Sequence, residues 1–239
     1  MGIHDAPHRS PTAVPPTTRT AVRPAVGPPA HRLPAPLSVP SPTLPAMGIY
    51  LVSVEAEDWA EEEGFGALVG VLGEALAARG AGPLTPPEPR PAAAYVRGDG
   101  SMFEEKLYRP MDGFAALCER VLAPAGTEAL LGWDVLLPLP LDGPFTVTAA
   151  GWDGEEATVH SAHRALAAAR RLATAVALPP SVPAHCDNLQ IGVWFDRVRE
   201  SGTTRTGAWT EDLDTAFYTA VYLRAAEHAL RRGCPLVYS

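Results

Sequence analysis

Proline placement divides this chain before any other feature can be read. Twelve of its 26 prolines, from Pro7 to Pro45, fall within the first 46 residues. Each removes a backbone donor and pushes its predecessor toward extended geometry, so neither helix nor sheet can propagate there. The apolar residues between them are mostly isolated Ala and Val, too few to offset the entropy of ordering. Residues 1–46 therefore read as a disordered Pro-rich leader with polyproline-II character. Met47-Gly48-Ile49-Tyr50-Leu51-Val52 then opens like the first strand of a folded domain, so function is expected from Met47 onward.

The leader lacks the continuous apolar stretch of a secretory signal, and its prolines break the amphipathic helix of a transit peptide. Its Pro-Pro and Pro-Ala-Pro pairs could serve as a ligand for a proline-binding domain, but such pairs are common by chance. The preferred reading is that Met47 is a real or alternative start and that the leader is upstream sequence.

The leader holds four Arg and one Asp. Of the chain's 19 basic and 27 acidic residues, 15 and 26 therefore remain in 47–239, a net charge near −11 rather than −8. A field of that sign repels nucleic acid and anionic lipid, so neither is expected as a partner. No stretch approaches the roughly 20 apolar residues of a membrane span. Cys118, Cys186 and Cys234 form no close-spaced pair. An odd count without a signal peptide indicates reduced thiols and a cytoplasmic protein. One Lys (Lys106), one Asn (Asn188), one Gln (Gln190) and three Ile point to the coding bias of a high-G+C bacterial genome.

Apolar spacing predicts a buried strand at 49–52 and a helix through Phe65, Leu68, Leu72 and Leu76, ended by Gly80 and Gly82-Pro83. A Pro-rich loop spans 83–92, and Tyr95-Val96 reads as a short strand before the Gly98-Asp99-Gly100 turn. Ser101 and Glu104 have capping-box spacing for a brief helix closed by Pro110. Asp112 is expected to cap a helix bearing Phe114, Leu117, Cys118 and Val121. The apolar stretch 130–141, interrupted by Pro138 and Pro140, reads as an edge strand or an extended segment, with 145–148 as its hairpin partner. A long helix is expected over 159–176, an alternating strand over 189–195, and a mobile loop over 199–208. Thr210 is expected to begin a last helix, which stops at Gly233 before a short strand at 235–238. The domain 47–239 thus reads as a single α+β domain with a small, mostly antiparallel sheet and about four helices.

Two neighbourhoods offer candidate chemistry. The run Glu55, Glu57, Asp58, Glu61, Glu62, Glu63 is the densest charge cluster. Its plain reading is the solvated first turn of a helix. Its functional reading is a surface for a basic protein, with Trp59, Glu61, Glu62, Glu63 and Phe65 as contact residues. The second neighbourhood is His185-Cys186-Asp187-Asn188, the densest run of catalytic or metal-binding types. A nucleophilic Cys needs a His in space, yet neighbours on an extended segment point to opposite faces. A turn whose Asp187 or Asn188 bonds local backbone explains the same residues.

His160 and His163, three apart at a helix start, could face a metal with His185 or Cys186. Glu155 and Glu156 beside them are ordinary helix-start acids, and no metal site is assigned. The tryptophans Trp133, Trp152 and Trp209 read as anchors of the core edge unless they converge on a pocket. No phosphate-binding glycine loop, no nucleophile elbow and no cofactor fingerprint occurs. A familiar enzyme class is thereby set aside, while an unfamiliar activity stays open.

Three segments, Met47 through Val52, Phe103 through Phe114, and Ala216 through the ending Arg231-Arg-Gly-Cys-Pro-Leu-Val-Tyr-Ser239, carry one further signal. Through them the domain resembles an actinobacterial protein family of unknown function. That resemblance covers the domain and none of the leader, and it implies no functional residues. The sequence therefore predicts an acidic protein-interaction domain, immunity- or inhibitor-like, whose partner is a basic protein or a second copy of itself. The alternative is a small-molecule-binding domain or enzyme with a pocket near residues 185–196.

Overall fold

A computed structural model describes residues 49–89, 96, 98–152, 156–202 and 206–239. All of these belong to one compact unit. The expected leader and start at Met47 lie outside the described residues, as do Tyr95, Asp153, Glu155 and parts of the loops expected at 83–92 and 199–208.

Among the described residues six strands form one mixed sheet: β1 (Ile49–Ser53), β2 (Glu104–Leu107), β3 (Val135–Leu137), β4 (Phe145–Thr148), β5 (Glu156–Ser161) and β6 (Leu236–Tyr238). Their order across the sheet is β2-β1-β6-β3-β5-β4. Every neighbouring pair is antiparallel except β3 with β5, so the mostly antiparallel α+β expectation holds. The described residues hold six α-helices, α1 (Phe65–Ala78), α2 (Asp112–Val121), α3 (Pro124–Leu131), α4 (Ala162–Ala175), α5 (Gln190–Glu200) and α6 (Leu213–Arg232), more than the four expected.

Strand alternation sends side chains to two cores. Leu51, Leu136 and Leu236 face a large cluster with α2, α4, α5 and α6. Val135, Leu137, Phe145, Val147 and Val159 face a smaller one with Phe65, Leu68, Leu72 and Leu76 of α1. The central α6 is buried around most of its circumference, and its alanines let α4 approach closely. Asp212 caps it, accepting from the N–H groups of Asp214 (3.1 Å) and Thr215 (3.0 Å). Gly233 ends it in the left-handed region (φ 66°), as the sequence predicts.

Several expectations are corrected. Residues 104–107 form a strand, not a brief helix: Ser101 N–H bonds Asp99 Oδ1, and the segment pairs with β1. Asp112 is the first residue of α2 and not its side-chain cap. Similarly, Thr210 ends a 3-10 turn, Ala208–Thr210, ahead of the Asp212 cap.

The stretch 130–141 completes α3 and then gives an interior strand, β3, which ends before Pro138 and so never places a proline in the ladder. The partner of β4 is β5, which inserts beside β3, and the helix expected from 159 begins only at Ala162. Finally, 189–195 is not a strand. It is the start of α5, whose inward residues Ile191, Phe195 and Val198 recur at helical spacing.

Candidate functional site

The acidic run lies where α1 and the sheet diverge. A 3-10 turn, Glu57–Ala60, follows β1, and α1 begins only at Phe65 with no acid in its first turn. The plain reading of a helix first turn holds for Glu57 and Asp58, in the 3-10 turn, and not for Glu61, Glu62 and Glu63, which lie between that turn and α1. Ser53 fixes the start of the segment: its hydroxyl donates to Glu55 Oε1 (2.6 Å) and accepts from the Phe103 N–H (2.9 Å). Asp58 turns back to accept the Glu55 N–H at 2.6 Å.

Two close approaches hold the rest. A Cβ on Gly66 would lie 2.0 Å from the Glu61 carbonyl oxygen, so only glycine lets the run fold onto α1 there. At Gly151 it is the backbone, at φ +91°, that favours glycine, while a Cβ there would lie a tight 3.3 Å from the Glu62 carbonyl oxygen; the Gly151 carbonyl accepts the Gly64 N–H at 3.2 Å.

A cleft of about 360 Å³ opens between this segment and the ends of β1 and β6, lined by Asp58, Glu61, Glu63, Phe65, Trp152 and Tyr238 among others. None of its described lining residues is Lys, Arg or His. Glu61, Glu62 and Glu63 are exposed. Trp59 is half-buried and meets Phe65 edge to face at 5.4 Å. Phe65 itself is only 5% exposed and packs into the smaller core, so it offers a wall and not a protruding anchor.

The second neighbourhood disperses its four candidates. Cys186 is 1% exposed within the large core, and burial pushes its thiol well above the usual range. Asp187, equally buried, accepts from the N–H groups of Gly98 (2.7 Å) and Asp99 (3.1 Å) and so closes that turn. Asn188 is exposed, and its N–H donates to Gln190 Oε1 at 3.0 Å. His185 packs against Gly100, where a Cβ would come within 2.6 Å of Nδ1. No hydrogen bond joins His185 to Cys186 among the described residues; of the two residues expected to bond local backbone, Asp187 holds backbone 88 and 89 positions away, and the bond at Asn188 is its own N–H to the Gln190 side chain.

Alongside lies a cleft that takes in part of 185–196, the region of the alternative reading; what the sequence reading missed is its β2 side and the ion pairs beside it. The cleft, about 280 Å³ between β2 and α5, is lined by Glu105, Lys106, Tyr108, Gly192, Val193 and Asp196, with Leu189 at its end. The Tyr108 hydroxyl donates to Asp196 Oδ2 (2.9 Å) and accepts from Arg109 (3.0 Å). Arg109, its side chain 2% exposed, binds Asp196 Oδ1 (2.5 Å) and Asp214 Oδ1 (3.0 Å), and Arg199 pairs with the same Asp214. Its guanidinium lies 4.8 Å from the Phe217 ring centre. Burial opposes the charge on Arg109, but the Asp214 bond and its neighbours raise its pKa further. Partners that lie 87 and 105 positions from Arg109 left no local signal for this network in the sequence.

The remaining candidates are structural. His160 sits in β5, 3% exposed, while His163 is exposed on α4, so no helical face presents both. Among the described residues no group of three His, Cys, Asp or Glu side chains could hold a metal ion. The tryptophans do not converge: Trp133 stacks on Tyr238 at 4.6 Å, Trp209 lies 5.7 Å from Trp194, and Trp152 lines the acidic cleft. No described helix is long and apolar enough to cross a membrane.

Compared with protein-family models, curated proteins and solved structures, the chain finds no match. Any functional reading therefore rests on its own residues.

Proposed function

We propose that this is an acidic protein-interaction domain, of the inhibitor or immunity kind, that receives cationic side chains of a basic partner in the cleft beside Glu61 and Glu63. The observation that carries the reading is the composition of that cleft: three carboxylates, aromatic walls and no basic residue among the described lining. Charge of one sign in a concave site steers a basic partner, and the rings of Trp152 and Tyr238 add apolar and cation–π contact once it arrives. The net charge of −8 acts in the same direction at longer range.

Amide chemical-shift mapping of the full chain with tetra-arginine tests the reading, with tetra-glutamate as control. Shifts at Glu61, Glu63, Gly151 and Trp152 that fade with added salt are expected. Shifts spread over the whole acidic surface, or equal for both peptides, would refute a defined site.

A second reading is favoured by one observation: Leu189, Gly192, Val193 and Asp196 do line a cleft. In that reading the β2–α5 cleft takes a small molecule. Native mass spectrometry of the full chain decides it: a retained small-molecule adduct supports it, and bare protein from every preparation counts against it.

A further inference from the structure

Helix α5 carries a second stripe, set away from the core. Gln190, Val193, Trp194 and Arg197 recur at the spacing of one helical face, and each is half-buried or exposed. A cleft of about 320 Å³ runs beside that stripe, and Pro183 and Gly98 complete its described lining. It has only Val193 in common with the β2–α5 cleft, so it is a separate site. Its other wall is held from behind: Arg224 of α6 donates Nε–H to the Pro183 carbonyl (2.9 Å), and Asp187 accepts the Gly98 N–H (2.7 Å). Trp194 is steadied by ring contacts with Phe195 (4.8 Å) and Trp209 (5.7 Å).

The polar side chains of this cleft offer donors without acceptors. Gln190 Oε1 accepts the Asn188 N–H at 3.0 Å, which fixes the amide orientation and leaves Nε2 as the donor. That Nε2 is buried and bonds nothing, and a buried donor is costly until an acceptor reaches it. Arg197 is exposed, and among the described residues its guanidinium makes no hydrogen bond or ion pair. Arg109, Arg199 and Arg224 are by contrast each paired with a carboxylate. No Asp or Glu is among the described lining residues. Gln190 and Arg197 lie about 10 Å apart along the helix, so they suit the two ends of one elongated ligand.

We propose that this cleft binds a small aromatic carboxylate that carries a second oxygen acceptor at its other end. Arg197 takes the carboxylate with its planar fork, and Gln190 Nε2 donates to the distal oxygen. The indole of Trp194 and the ring of Pro183 flank the aromatic ring between them. The volume is at the low end for small-molecule pockets, which fits a single-ring acid. The net charge of −8 opposes an anion at long range, and salt screens that opposition. Binding therefore depends on these short contacts, unlike recognition in the acidic cleft, which takes the opposite charge.

Gln190 and Asn188 are the chain's only Gln and Asn, so their side-chain amides are unambiguous reporters. NMR titration of the full chain with 4-hydroxycinnamate, with its primary amide and with cinnamate tests the site. 4-Hydroxycinnamate is expected to shift saturably the Gln190 side-chain amide, the Trp194 indole N–H and the backbone amides of Val193 and Arg197. The uncharged primary amide is expected to bind about tenfold or more weakly, and so is 4-hydroxycinnamate on Arg197→Gln. Arg197 has no described partner to lose, so that variant is expected to keep the fold. Cinnamate, without the hydroxyl, is expected to leave the Gln190 side-chain amide in place. No saturable shift at these groups, equal affinity for the acid and its primary amide, or unchanged affinity in Arg197→Gln overturns the proposal. An equal Gln190 side-chain shift with cinnamate overturns it too, as do shifts centred on Tyr108 and Gly192, which place the acid in the β2–α5 cleft.

Discussion

The carboxyl of Glu105 closes the first turn of α5 by accepting the N–H of Ile191 at 2.5 Å, a residue 86 positions further along the chain. A strand side chain thus does what an N-cap residue ordinarily does locally. The start of α5 is consequently a tertiary feature, and burial of that acid couples the stability of the fold to its protonation.

That coupling has a sign. The folded-state pKa of Glu105 is raised from 4.5 to about 8, so between those values the native state binds more protons than the unfolded state. Its stabilising contribution is complete below about pH 4.5 and is lost as pH rises toward 8, with a slope of at most ~1.4 kcal/mol per pH unit. Urea unfolding between pH 6.5 and 8, above the window in which His228 titrates, is expected to show this decline, and Glu105→Gln is expected to flatten it.

His228 gives the opposite slope. It is 2% exposed beside Phe103, and burial, helped by Arg231 and Arg232, lowers its pKa from 6.5 to about 3. The unfolded chain binds the extra proton in that window. Stability from this group is therefore present above pH 6.5 and lost as pH falls toward 3. In His228→Leu the acid limb of the unfolding profile is expected to shift to lower pH.

Gly66 sets the shape of the acidic cleft. Its missing Cβ is what lets the Glu61 carbonyl approach, at a spacing where an alanine carbon would sit 2.0 Å away. Backbone must move to admit Gly66→Ala, at a cost of about 1–3 kcal/mol. The same variant is expected to weaken tetra-arginine binding, whereas Gly70→Ala, which meets nothing within 4 Å, is expected to leave both properties intact.

Arg109 ties the loop after β2 to α5 and α6 through Asp196 and Asp214. Arg109→Leu leaves two carboxylates without their shared cation. Because Asp196 is half exposed and Asp214 partly so, water recovers some of that loss. A destabilisation of ~2–4 kcal/mol is expected. Arg109→Lys is expected to restore little of it, since a single ammonium cannot reproduce the planar fork that spans both acids.

The sequence made most of the architecture legible where periodicity and punctuation agreed. The stripe Phe65, Leu68, Leu72, Leu76 identified α1, and Gly233 marked the end of α6. It misled where two periods fit the same residues: Leu189, Ile191, Val193 and Phe195 alternate, yet Ile191, Phe195 and Val198 are the ones buried on the inner face of a helix. The cap that decides between the two readings is Glu105, far away in sequence. Likewise β2, four residues with three charges, is a strand because β1 pairs with it and not by intrinsic preference. Of the candidate sites, the exposed acids Glu61 to Glu63 were legible as charge. The pocket beside them was not, because it depends on Gly66, Gly151 and Trp152 coming together in space.

The most direct measurement of acidic-cleft recognition is calorimetric titration of tetra-arginine into the full chain and into Glu61→Lys/Glu62→Lys/Glu63→Lys, at low and at physiological salt. Recognition in the cleft predicts binding to the wild type that weakens with salt and falls about tenfold or more in the triple variant, a loss of at least ~1.4 kcal/mol. An affinity unchanged by the charge reversal, with the variant folded, would contradict it.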